Sequence, residues 1–144
     1  DGNVKELQKN QINFFYRKCD LEKNLIILSA KFQGHIFEKK DIENKQIQLI
    51  QRKKESQPSQ VKNCGSTFKN SKNKKAWELI KESNCEKMSA GKARISEKHC
   101  NFFINEGNAT SKDIEELINK VKKQVFEKTG VNLELEIKVI GRNR

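Results

Sequence analysis

The stretch Cys64-Gly65-Ser66-Thr67-Phe68-Lys69-Asn70 sets a hydroxyl, an ammonium and a carboxamide in close succession. Gly65 admits backbone conformations that a Cβ resists, so a sharp turn there presents Ser66 with Lys69 and Asn70 a short step away. Such a set can hold an anionic, polar ligand, although a Gly-Ser pair by itself is most often only a turn. Other side chains with chemical potential are scattered. Arg17 closes the aromatic run Phe14-Phe15-Tyr16; the bland reading makes the rings core, with Arg17 reaching out to water. His99 is either a ligand contact or a histidine bonded to backbone, and the second is the commoner case. With His35 as the only other histidine, a histidine-rich metal site is implausible. Cys19, Cys64, Cys85 and Cys100 lack the spacing of zinc or CxxC redox motifs, so free thiols are expected.

These residues need elements to position them. Asp1-Gly2 is a hairpin-turn dipeptide with Val4 to Leu7 as its return strand, and Leu25 to Phe32 reads as a buried strand. A helix is expected from Asp41, its cap, with Ile42, Leu49 and Ile50 at helical spacing and Arg52, Lys53 and Lys54 toward its end. Pro58 stops it, and polar residues lead into the Gly65-Ser66 turn. A short helix starts at Ala76, and Asn101 to Ile104 is a strand. Thr110 caps the clearest helix, with Asp113 as the acidic partner of a capping box. Ile114, Leu117, Ile118, Val121 and Val125 form its core stripe, and Gly130 ends it. Leu133, Leu135, Ile137 and Val139 alternate with polar residues as a half-buried strand. Glu136 then lies on its other face, solvated unless that face lines a cleft.

A chain of 144 residues has room for one domain, or one domain and a piece of another. Its net charge of +11 fits a nucleic-acid surface, a site for an anionic small molecule, or a solvated lysine-rich surface. The lysines are spread and interleaved with Glu, Asp and Asn, and the cluster Lys72 to Lys75 has only Trp77 beside it. The solvated surface is favoured and nucleic acid is not expected as a partner. No stretch resembles a signal peptide or a membrane span.

Several stretches, in order, are similar to one family. Tyr16-Arg17 resembles the F-G-Y-R element of the bacterial UDP-N-acetylenolpyruvoylglucosamine reductases, flavoenzymes of peptidoglycan precursor synthesis. Gly65 to Asn70 resembles their G-S-x-F-K-N-P element. Gly91-Lys92-Ala93-Arg94-Ile95-Ser96-Glu97-Lys98-His99 resembles G-G-A-x-V-S-x-K-H and continues through Asn105-Glu106-Gly107-Asn108-Ala109-Thr110. Leu133 to Gly141 resembles the terminal L-E-P-E-V-R-x-I-G strand. Ser71, Lys92, Leu135 and Lys138 depart from that pattern, as does Phe15 in the place of a glycine. The family's N-terminal flavin-binding turns have no counterpart, and with the orphan Asp1-Gly2 turn this suggests a chain cut from something longer.

The resemblance implies an α+β architecture. Residues 1–38 would be the end of a flavin-binding domain, and residues 39–144 a small substrate-binding domain with helices packed on a β-sheet. It implies a cytoplasmic bacterial enzyme that reduces UDP-N-acetylglucosamine enolpyruvate to UDP-N-acetylmuramate. FAD is then the cofactor, held mostly by the missing N-terminal part, and NADPH the reductant. It implies Ser66 as proton donor to C2, Arg17 and Glu136 at the pyruvyl carboxylate, and Lys69, Asn70 and His99 as substrate-binding residues. This chain alone is expected to be inactive; no metal or membrane partner is implied. The rival class is a non-enzymatic basic α+β module that binds a nucleotide sugar or nucleic acid.

Overall fold

The computed structural model describes residues 2–141, and the Asp1 half of the expected Asp1-Gly2 turn lies outside them. The chain divides into two units, Asp1–Phe37 and Glu38–Arg144. The first contains a single-turn 3-10 helix, Lys9–Gln11, and a hairpin of β1 (Phe14–Phe15) and β2 (Lys18–Cys19). The pairing Phe15↔Lys18 leaves Tyr16-Arg17 as a two-residue loop. Asn13 and Asp20 close the base of the hairpin: the Asn13 backbone N–H donates to Asp20 Oδ1 (2.8 Å) and Asn13 Nδ2 to Oδ2 (2.6 Å). These bonds hold the Asp20 carboxyl below its ordinary range.

Two expectations fail in this unit. Val4 to Leu7 forms no strand, and Leu25 to Phe32 is neither a strand nor buried, with Ile26 84% and Ile27 73% exposed. The β-rich composition is real, but a strand exists only through a neighbour that takes up its N–H and C=O groups. Among the described residues no segment pairs with this one.

The second unit carries the core. Its sheet has the order β3 (Lys62–Ser66), β6 (Phe102–Asn105), β5 (Ala93–Ile95), β4 (Ser89–Ala90), all antiparallel. Helices α2 (Ala76–Glu82) and α3 (Ser111–Thr129) cover one face. Leu117, Ile118, Val121 and Val125 of α3 pack with Leu79, Ile80, Ile95 and Phe103 in one cluster. The α3 start is as expected: the Thr110 side chain accepts from Asp113 N–H (3.1 Å) while Thr110 N–H donates to Asp113 Oδ2 (2.8 Å). Gly130 closes the helix at φ +68, a left-handed conformation that costs glycine least. Gly91, at φ +53 in the β4–β5 turn, lets that turn approach α3, because a Cβ there would collide with the Asp113 carboxylate. Burial pushes the Cys85 thiol up to about 11 and raises Cys100 as well. At neutral pH both are therefore protonated and poorly reactive.

Helix α1 (Lys39–Ser56) begins three residues before the expected start, since Glu38 and not Asp41 is its N-cap, and Asp41 falls in the first turn. Asp41 still opposes the positive end of the helix dipole there. No α1 residue is buried. The terminal stretch departs further. Leu133 is buried, and Leu135 and Ile137 pack on the core, so the alternation is real. Regular pairing is nevertheless reduced to one antiparallel bridge, Phe68↔Leu135, and Val139 and Ile140 are exposed. The partner segment leaves its extended path after Lys69 to enter the turn before α2, so nothing continues the ladder.

Candidate active site

Ser66 is the last residue of β3, and a bulge decides where it faces. Asn63 pairs with Ile104 and Ser66 with Phe102, so three steps along β3 oppose two along β6. An odd extra residue reverses the side-chain alternation. Phe103 faces the helices within the core cluster, whereas Phe102 and Ile104 are buried outside it. Ser66, paired with Phe102, therefore shares the face turned away from α2 and α3. Without the bulge it would face the helices. Gly65 sits in the bulge at φ +81, and its N–H donates to Asn63 Oδ1 (2.9 Å). The flexible residue that the sequence pointed to thus re-aims a strand end rather than forming a free turn.

The next residues are clamped from two sides. Lys69 N–H donates to the Glu134 carbonyl (2.8 Å) and Glu136 N–H to the Thr67 carbonyl (2.9 Å). These two bonds flank the Phe68↔Leu135 bridge and bring half-buried Glu136 to the residue after Ser66. Lys69 Nζ stands 3.5 Å from Glu134 Oε2. On the other side, the Asn101 side chain binds both backbone groups of Phe68: Phe68 N–H donates to Oδ1 (3.0 Å) and Nδ2 donates to the Phe68 carbonyl (2.9 Å). Thr67 N–H donates to the Asn101 carbonyl (2.8 Å).

The remaining candidates fall around this seam or apart from it. Asn70 is exposed, and its Oδ1 accepts from Ala76 N–H (3.0 Å), which ties the turn to the start of α2. The half-buried His99 ring packs edge-on against Phe102, with ring centres 4.9 Å apart, next to the Ser66 pair. Its Nδ1 accepts from Asn101 N–H (3.2 Å), which makes it the commoner, backbone-bonded kind of histidine. Arg17 belongs to the other unit. It occupies the left-handed region at φ +59, uncommon for a residue with a Cβ, with its guanidinium 5.6 Å from the centre of the Tyr16 ring. Phe14, Phe15 and Tyr16 are exposed rather than core.

A conserved-domain model described as the C-terminal domain of UDP-N-acetylenolpyruvoylglucosamine reductase matches residues 57–140. The chain belongs to the UDP-N-acetylenolpyruvoylglucosamine reductase family. It is 46% identical over 141 residues to the reductase of Wolbachia pipientis wMel, covering 98% of this chain and 48% of that protein. Identity to the reductase of Pelagibacter ubique is 45% over 143 residues, 97% of this chain and 47% of that one. The crystal structure of the Thermus caldophilus reductase superimposes with a TM-score of 0.75 at 31% identity, over 90% of this chain and 46% of that one. The α+β fold is thus the fold of the family's C-terminal part. The chain spans about half the length of the curated relatives it matches.

Asn101 on this seam and Arg94 on β5 are given no role by the resemblance. Asn101 was placed at the head of an apolar strand, and a carboxamide there was the available signal, since a buried amide needs partners. Arg94, paired with Ile104 on the Ser66 face, forms ion pairs with Glu106 and with Glu97 (3.4 Å). The alternation buried–half-buried–buried across Ala93, Arg94 and Ile95 is a pattern that the resemblance alone did not use.

Burial holds the His99 imidazole below its ordinary value of 6.5. The unfolded chain then takes up a proton at a higher pH than the folded one. The contribution is full above about pH 6.5 and is lost as the pH falls toward the lowered folded value. Urea midpoints measured at about pH 7.5 and about pH 5.5 should fall more for the parent chain than for His99→Gln. Equal falls would remove His99 as the source.

Proposed function

We propose that this chain is the substrate-handling half of a UDP-N-acetylenolpyruvoylglucosamine reductase. In that reading residues 39–144 are the substrate domain and residues 1–38 the end of the flavin domain. The observation that carries it is the seam in which Glu136 N–H bonds to Thr67, beside a Ser66 that a bulge has turned off the core. The whole enzyme would reduce UDP-N-acetylglucosamine enolpyruvate in the bacterial cytoplasm, with NADPH as reductant. Among the described residues no helix is long and apolar enough to cross a membrane.

FAD would supply hydride to C3 of the enolpyruvyl group. The start of α3 is taken up by its own capping box and does not open onto the cofactor's diphosphate. The cofactor is assigned mostly to the other half, and the residues singled out in this chain act on the substrate. Ser66 Oγ–H gives its proton to C2 and must regain one through a relay, since a neutral hydroxyl is a weak acid. Arg17 pairs with the pyruvyl carboxylate, where charge accumulates; a planar guanidinium suits both of its oxygens. Glu136 acts on the same carboxylate. Lys69, Asn70 and His99 hold the nucleotide sugar.

The division of labour has a direct test. The purified 144-residue chain should be colourless after incubation with FAD. It should consume no NADPH in the presence of the enolpyruvyl substrate. Addition of the N-terminal half, fused ahead of Asp1, should restore both flavin absorbance and turnover. Stoichiometric FAD on the isolated chain would sink the division.

A further inference from the structure

We propose that Asn101 is a positioning residue for the Ser66 proton donor. The proposal rests on the reductase reading and concerns how its site is held. Asn101 is 4% exposed, and its side chain and its carbonyl bind two successive residues just after Ser66. Its side chain pairs with the N–H and C=O of Phe68, and its carbonyl accepts from Thr67 N–H. Phe68 is 33 residues away in sequence, so this is a tertiary lock and not a local turn.

The lock lies at the end of β3, where Phe102 is the ladder partner of Ser66. The bulge interrupts the β3–β6 ladder just before Ser66, and beyond Lys69 the chain turns toward α2. Between these points the backbone register depends on Asn101 from one side and on residues 134–136 from the other. A shift of Phe68 displaces Ser66 on the β6 side and Glu136 on the opposite side together, because Glu136 is bonded through Thr67. Asn101 N–H also donates to His99 Nδ1, so a neutral His99 carries its proton on Nε2, and the same residue fixes that ring beside Phe102. The carboxamide holds Phe68, and the Asn101 backbone holds Thr67 and the His99 ring, so one residue registers Ser66, Glu136 and His99 against each other without touching the substrate. A displacement of about 1 Å at a reacting group costs on the order of 10²-fold.

The test compares Asn101→Ala with Asn101→Asp in the holoenzyme, formed by joining the N-terminal half of the Wolbachia pipientis reductase to Asp1. A protonated aspartic acid reproduces the amide's pattern, accepting from Phe68 N–H and donating to Phe68 C=O. An ionised one sets negative charge against that carbonyl. Flavin reduction by NADPH should stay within about twofold of the parent in both variants. Reoxidation by the enolpyruvyl substrate should slow about 10- to 100-fold in Asn101→Ala, by the same factor at every pH. In Asn101→Asp the rate relative to the parent should be low near about pH 9 and recover toward about pH 5.5, as the buried carboxyl protonates. Independently of activity, Phe68 amide exchange in the 144-residue chain should accelerate in Asn101→Ala while Val121 stays protected. Parent-like reoxidation in Asn101→Ala, a pH-independent deficit in Asn101→Asp, or unchanged Phe68 exchange each overturns the proposal. If Asn101→Ala does not fold, the pH profile of Asn101→Asp decides alone. A parent holoenzyme whose reduced flavin is not reoxidised by the substrate overturns the reductase reading itself, and the exchange result then still decides the lock.

Discussion

Replacing Ser66 with alanine in the complete enzyme is expected to slow reduction of the enolpyruvyl substrate by on the order of 10²–10⁴-fold. That corresponds to about 3–5 kcal/mol of transition-state stabilisation. Flavin reduction by NADPH should be nearly unchanged, because only the second half of the reaction protonates C2. The structure makes this a clean substitution. Ser66 is half-buried at a strand end, its side chain lies on the face away from the helices, and its backbone is held by neighbours that alanine leaves in place. Loss of packing would slow both half-reactions or lower the melting temperature; loss of an acid slows one. Stopped-flow flavin absorbance, recorded separately for reduction and reoxidation, distinguishes them. Reoxidation at the parent rate would transfer the proton-donor role to Glu136.

Phe68→Ala should have the largest effect on folding, about 3–5 kcal/mol, read as a shift in the urea midpoint of the 144-residue chain. Phe68 is 1% exposed and meets Phe103 edge to face, ring centres 5.7 Å apart at 84°. Truncation leaves a cavity between the sheet and the 133–137 stretch and removes an aromatic pair. Native domains are marginally stable, by about 5–15 kcal/mol, so this takes a large share. The same ring seats Leu135 at the bridge that carries Glu136, so the complete enzyme should lose activity along with stability. Phe68→Leu, which keeps most of the volume, should cost far less. A loss under about 1 kcal/mol for Phe68→Ala would show that the seam is held by hydrogen bonds alone.

Local signals carried much of the second unit. The capping pair Thr110 and Asp113, the stripe from Ile114 to Val125 and the closing Gly130 act within a few residues of each other, so their meaning survives without a tertiary context. The short helix at Ala76 and the strand near Phe102 were legible for the same reason. Gly65 announced an unusual backbone, and its left-handed φ bears that out. The motifs in their order were enough to place the chain in its family.

What the sequence did not contain is partnership. Leu25 to Phe32 has a strand's composition and no strand, because composition supplies side chains for a face but not the neighbouring backbone that makes a ladder. Leu133 to Ile140 has the right alternation and one bridge, because the facing segment turns away after Lys69. The bulge at Gly65, which chooses the face on which Ser66 stands, depends on how β3 registers with β6, and no local pattern encodes that count. Asn101 read as one polar residue among apolar ones; only the fold brings Phe68 to it across 33 positions. The sequence determined which residues have the right chemistry and which helices form, since those follow from short-range sterics and periodicity. The tertiary structure decided which of them meet, since that depends on long-range pairing whose hydrogen bonds form only when two distant segments share one register.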